Sequence, residues 1–150
     1  MPASASSRLR LIVDALPLRP HLRVLEIGCG PGVAARLVAA RLDEGHILAI
    51  DRSAAAIAQA TAGSAAEIAA GRLSVRRAAA EDFVLDPGED PYDLVFAIRV
   101  GALDGRHPAL GTRVLSRLAQ ATRPGARLFV DGGDPLREIP LPRAPQRTDT

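Results

Sequence analysis

The residues best placed by type and spacing to do chemistry lie between Glu26 and Asp51. Glu26 is followed by glycines at positions 28, 30 and 32, and Asp51 falls 21 residues after Gly30. The glycines interrupt an apolar run with strand-forming residues (Val24, Leu25, Ile27) and feed into VAARLVAARL, Val33 to Leu42, whose apolar residues recur at helical spacing. A strand, a tight glycine loop and a helix in that order bring backbone N–H groups close to a ligand. Glu26 selects among ligands. A carboxylate two residues before the first glycine repels a pyrophosphate and favours a ligand with a cationic end. Asp51 ends the next apolar run, HILAI (His46 to Ile50), where a carboxylate can accept both ribose hydroxyls of an adenosine. Asp51-Arg52-Ser53 also immediately precedes the alanine-rich segment Ala54 to Ala62, so Asp51 can start that helix as well, although the motif upstream favours the ribose role over a cap alone.

An acid followed by glycines at every second position resembles motif I of the class I S-adenosylmethionine-dependent methyltransferases, and Glu26, Gly28, Gly30 and Gly32 match all four positions. S-adenosylmethionine carries an ammonium and a sulfonium, which suits the charge reasoning at Glu26. The resemblance extends over roughly residues 20 to 132. It includes the YDLV entry into a fourth strand (Tyr92 to Val95) and the PGARLFVDGG approach to a fifth. It implies S-adenosylmethionine as cofactor, held by Glu26, Gly28, Cys29, Gly30, Gly32, Asp51, Arg52, Ala80, Glu81, Ile98 and Arg99. In the loop after the third strand the family holds adenine through an acid and a neighbouring backbone N–H. Glu81 with the Ala80 backbone fills that role, and Asp82 is second choice. Cys29 in the loop is read as a packing residue without a base beside it.

Between the fourth strand and the next helix, RVGALDGRHP (Arg99 to Pro108) leaves the carboxyl end of a strand, where open α/β sheets bind ligands. It is the natural substrate loop. His107 and Asp104 are its candidates for general base work, against the reading of His107 as a surface turn residue before Pro108. The segment after the fourth strand, Phe96-Ala97-Ile98-Arg99, lacks the Asn-Pro-Pro-aromatic signature of amino-methylating nucleic-acid enzymes, so a small-molecule acceptor is expected. No metal site is read. Two further classes stay open: a module that binds S-adenosylmethionine or a partner without catalysis, and a nicotinamide-dependent oxidoreductase. The latter's Gly-x-Gly-x-x-Gly template needs a glycine where Val33 stands.

The elements that must position these residues follow from periodicity. An amphipathic helix is expected from Ser4 to Leu16, capped by Ser4, Ser6 or Ser7. Strands are expected over residues 24–27, 46–50, 73–77, 94–98 and 126–130, with helical segments over 33–42, 54–62, 64–70 and 109–121 between them. Alternation of this kind gives an α/β fold with a mostly parallel sheet of about five strands; the resemblance implies that it is Rossmann-like and doubly wound, order 3-2-1-4-5, with helices on both faces. The family normally adds a helix and two more strands, for which the remaining residues leave no room. Residues 1–134 are expected to form the domain and 135–150 a largely disordered Pro/Arg-rich tail, with LREIPL able to pair along the open edge. An open fifth strand would also suit a homodimer.

Composition narrows the partners. The chain has 150 residues, a net charge of +2 and 47% hydrophobic residues, enough for one domain with a real core. Its 19 basic residues are all arginines, scattered rather than blocked, and aromatics are 3%, so nucleic-acid stacking platforms are not expected. No apolar run approaches the ~20 residues of a membrane span. With Cys29 as the one cysteine and no signal-like N-terminus, a cytoplasmic setting is expected.

Overall fold

A computed structural model describes residues 5–142. Six strands form one sheet in the order β3-β2-β1-β4-β5-β6. They are β1 (Arg23–Ile27), β2 (His46–Asp51), β3 (Leu73–Arg77), β4 (Tyr92–Ala97), β5 (Thr122–Asp131) and β6 (Leu136–Ile139). The first five are mutually parallel, and β6 runs antiparallel to β5, pairing Val130 with Arg137 and Asp131 with Leu136. The order 3-2-1-4-5 is the one expected.

Both faces are covered, which is why β1, β2 and β4 read as nearly continuous apolar runs. Helices α1 (Ala5–Ala15), α2 (Val33–Ala39) and α3 (Ala54–Gly63) lie on one face, where Val13, Ala35, Val38 and Ala60 pack with Val24, Ile47 and Phe96. A short helix, α4 (Ala65–Ala69), precedes β3. On the other face α5 (Pro108–Ala121) buries Val114, Leu118 and Ala121 against Leu25, Val95 and Leu128. That stripe has the spacing of a helix lying flat on a sheet, and each such side chain contributes about 1.5–3 kcal/mol on burial. Of the caps considered for α1, Ser4 lies outside the described residues, and Ser6 and Ser7 fall inside the helix. On the α5 side of the sheet, no helix among the described residues packs on β3. Loop 83–91 closes it, anchored by buried Phe83 and by Glu89, which accepts from Arg76 and from the Tyr92 hydroxyl at 2.6 Å.

Two expectations need correction. Strand β5 begins at Thr122, directly after α5, rather than at Ala126. Its register against β4 jumps between Tyr92↔Thr122 and Leu94↔Arg127, because Pro124 has no N–H to give the ladder and Gly125 turns at φ 83°. The outer side of β5 is also not open. LREIPL pairs along that edge as expected, its residues Leu136–Ile139 forming β6, so part of the segment read as tail belongs to the sheet and the edge of β5 is filled within the chain. Across this pair Arg127 grips Glu138 through two hydrogen bonds, at 2.7 and 3.1 Å. The last part of the tail, residues 143–150, lies outside the described residues. Among the described residues no helix is long and apolar enough to cross a membrane.

Candidate cofactor site

Strand order reverses between β1 and β4, and a cleft of about 470 Å³ opens at the carboxyl ends there. This is where an open α/β sheet offers a ligand its backbone and loop groups, and the volume lies within the range of small-molecule sites. Ile27 and Gly28 from β1, Asp51 and Arg52 from β2, and Ala78 to Glu81 after β3 form one side. Arg99 to Ala102 after β4, with His107 and Leu110 at the start of α5, form the other.

The glycine loop is held by its neighbours in the sheet. The Cys29 N–H donates to the Ile50 carbonyl at 3.0 Å, and the Gly30 N–H donates to Asp51 Oδ2 at 3.0 Å. Gly28 has φ 69°, and a Cβ there would sit 2.8 Å from Val100 Cγ2, so a side chain is excluded twice over. Asp51 does not cap α3. Ser53 does, accepting from the Ala56 N–H, while Asp51 Oδ1 accepts from the Ser53 N–H at 2.9 Å. The Asp51 carboxylate is therefore oriented at the rim of the cleft by two backbone donors.

Glu26 stands one layer below. It lies on the same strand face as Val24, is 2% exposed, and its Oε1 has no hydrogen-bond partner. Burial first, and the Asp51 charge second, push its carboxyl up to about 8, so the ligand-free protein holds it neutral at pH 7. It does not line the cleft, and neither do Cys29, Gly30, Gly32 or Ile98. Cys29 is buried against the helical face and its thiol is pushed up to about 12, by burial and then by Glu26 and Asp51, which leaves it protonated. Gly32 starts α2 with a left-handed backbone against Ala60, and Ile98 packs on the same helical face as Cys29. Gly28, Asp51, Arg52, Ala80, Glu81 and Arg99 do come together in the cleft wall.

Glu81 lies in a single 3₁₀ turn, Ala80–Asp82. Its carbonyl accepts from Arg113 Nε at 3.1 Å, and Arg113 also pairs with Asp82, so Asp82 serves the docking of α5. Asp104 bonds to Arg106 rather than to His107, which lies near enough only to act on its charge. The Asp104 carboxylate accepts from the Arg106 N–H and side chain, at 2.9 and 2.6 Å, which holds it below the usual carboxylate range. It lines a neighbouring depression instead, while His107 faces the cleft from the exposed start of α5. Val100, Ala102 and Leu110 were not singled out in the sequence. Their only signal is position, just beyond a strand end or in the first turn of the following helix.

Residues 24–125 match the model of a family described as the methyltransferase domain. The chain belongs to that family. Among curated methyltransferases, the trans-aconitate 2-methyltransferase of Methylobacterium nodulans is 36% identical over 138 residues, covering 89% of this chain and 48% of that protein. Among solved structures, the phosphoethanolamine N-methyltransferase 2 of Haemonchus contortus in complex with S-adenosyl-L-methionine superposes with a TM-score of 0.65 at 21% identity. That match covers 86% of this chain and 28% of the other. The cyclase SpnF superposes with a TM-score of 0.69 at 23% identity, covering 86% and 46%. The chain thus spans about half the length, or less, of these methyltransferase-fold relatives, and the structural likenesses establish the fold alone.

Proposed function

We propose that this methyltransferase domain binds S-adenosylmethionine in the cleft at the carboxyl ends of β1, β2 and β4, and presents it to a small-molecule acceptor. The observation that carries the reading is the Asp51 carboxylate, fixed at the rim beside a glycine loop that only glycine can form at Gly28. The residues fit the cofactor. Asp51 would accept the ribose hydroxyls, and the 3₁₀ turn bearing Ala80 and Glu81 stands beside it for adenine. The unpartnered Oε1 of Glu26, buried behind the loop, is the orphaned polar atom that a cationic ligand would offset.

When bound, S-adenosylmethionine supplies a methyl group already made electrophilic by its sulfonium. The protein's own part is alignment and exclusion of water. Gly28 backed by Val100 sets the floor, and Arg99 to Ala102 form the wall facing the acceptor side. The backbone of Arg99 has φ 58°, rare for a side chain with a Cβ, and its N–H is pinned to Asp131 Oδ1 at 3.0 Å. Strain of this kind concentrates at functional loops. The trans-aconitate relative supports a small-molecule acceptor. A second reading is a domain of this fold that binds the cofactor without transferring a methyl. One solved structure of this fold is named as a cyclase, SpnF, rather than as a methyltransferase.

Calorimetric titration with S-adenosylhomocysteine, S-adenosylmethionine and NAD, on wild type and Asp51→Ala, tests the proposal. The expected result is binding of both adenosyl ligands and a loss of about tenfold or more in the variant, the scale of a lost charge-assisted hydrogen bond. NAD binding in their place would overturn the charge reasoning at Glu26. Methyl transfer to an acceptor then separates the catalytic from the binding-only reading.

A further inference from the structure

A second depression, of about 360 Å³, adjoins the cleft at the carboxyl ends of β4 and β5 and shares Arg99 and Val100 with it. Its charged lining is three arginines (Arg99, Arg106, Arg137) and two aspartates (Asp104, Asp131). Both acids are already engaged. Asp104 is bonded to Arg106, and Asp131 accepts from the Arg99 N–H and pairs with Arg8 of α1 at 3.8 Å. The guanidinium of Arg99 has no carboxylate partner among the described residues. Among the described residues, that of Arg137 reaches the Leu103 carbonyl alone, at 3.4 Å. On the same strand Glu138 is fully taken by Arg127, so the strand that completes the sheet places one unmatched arginine at the mouth of the site.

Resting on the cofactor reading above, we infer that this depression is the acceptor pocket and that it takes a carboxylate-bearing small molecule, held by Arg99 and Arg137. Two guanidiniums without acid partners are suited to carboxylate oxygens, which they can grip through paired N–H donors. The depression also lacks a usable base. Asp104 and Asp131 are occupied, Cys29 stays protonated beneath the loop, and His107 lines the cofactor cleft rather than this pocket. A hydroxyl or amine acceptor must lose a proton, whereas a carboxylate is ionised at neutral pH and asks for no base.

The test uses the full chain loaded with S-adenosylhomocysteine and titrated with citrate, inorganic phosphate and ethanolamine, on wild type, Arg137→Gln and Arg99→Asn. Asparagine tolerates the left-handed backbone at position 99, so that variant keeps the loop. Citrate is expected to bind and to weaken in about 0.5 M salt, where exposed charges are screened. Both variants are expected to weaken it about tenfold, with S-adenosylhomocysteine affinity unchanged in Arg137→Gln. Equal binding of phosphate, preference for ethanolamine, or citrate affinity indifferent to both substitutions would overturn the inference. If S-adenosylhomocysteine binds but citrate does not, the inference alone falls. If S-adenosylhomocysteine itself does not bind, the cofactor reading falls with it.

Discussion

At the scale of single residues, Glu26 couples the cofactor loop to stability. A carboxyl held neutral up to about pH 8 in the folded chain, against the ordinary value of 4.5, reverses the usual behaviour of a protein acid. Below pH 4.5 it is protonated in both folded and unfolded chains and its stabilisation is complete. Between 4.5 and 8 the unfolded chain gives up the proton while the folded chain keeps it, so stability falls as pH rises, by at most roughly 1.4 kcal/mol per pH unit. Glu26→Gln keeps the shape and removes the titration. Thermal melting of ligand-free wild type should therefore decline from pH 5 to 8 while the variant declines distinctly less. Parallel curves would mean that the buried carboxyl is ionised at neutral pH after all. The sequence singles out Glu26 as the residue that selects the ligand, and the structure places it buried behind the loop, outside the lining of the cleft. Its position behind the wall depends on strand alternation, which puts residue 26 on the face of Val24 and sends the chain over it at Gly28.

At the scale of elements, the seat of α5 decides the far wall of the cleft. Gly111 lies in its first turns, and a Cβ there would come 2.8 Å from the Ala102 carbonyl oxygen, a backbone atom that cannot swing away. Helix propensity alone favours Gly111→Ala by about 0.5–1 kcal/mol. The close approach outweighs that, and the variant should be destabilised by about 1–3 kcal/mol in urea unfolding. A gain in stability would show that α5 is not seated this closely on the Gly101–Leu103 turn. Elements of this kind were largely legible. Apolar runs such as LVFAI and the periodic Leu110, Val114, Leu118 stripe announce strand and helix locally, and the family resemblance supplied the sheet order 3-2-1-4-5. What stayed hidden are contacts that carry no period. LREIPL was legible as a segment able to pair along the edge of β5, but the register jump at Pro124-Gly125 and the capture of Asp104 by Arg106 leave no period in the sequence. Arg137 was not marked, because its place on β6 is what brings it to the depression beside the cleft.

At the scale of the whole molecule, arginine supplies all the positive charge and also part of the packing. Guanidiniums lie over three of the four aromatic rings, with Arg23 over Tyr92, Arg76 over Phe83 and Arg127 over Phe129. Two of these contacts join the cluster that clamps loop 83–91 to the sheet, and there Glu89 is the common acceptor. Burial alone would raise its carboxyl, but hydrogen bonds from Arg76, the Tyr92 hydroxyl and the Asp86 N–H outweigh that and hold it at about 2. Its sign is opposite to that of Glu26. A depressed folded value gives stabilisation that is complete above pH 4.5 and is lost as pH falls toward 2. Buried Glu26 and part-buried Glu89 thus tilt the stability curve from opposite sides, and the optimum of the ligand-free domain is expected near pH 4.5–5. Glu89→Gln should cost about 1–3 kcal/mol at pH 7, the usual penalty for breaking hydrogen bonds to a charged group, and flatten the acid limb. It should leave the decline between pH 5 and 8 intact, because that limb belongs to Glu26 on the other face of the sheet, and well-separated sites act additively. Urea unfolding of wild type, both single variants and the double variant across pH 3 to 8 measures all of this at once. An optimum at neutral pH in wild type, or an acid limb that survives in Glu89→Gln, would show that other carboxyl groups set the acid response.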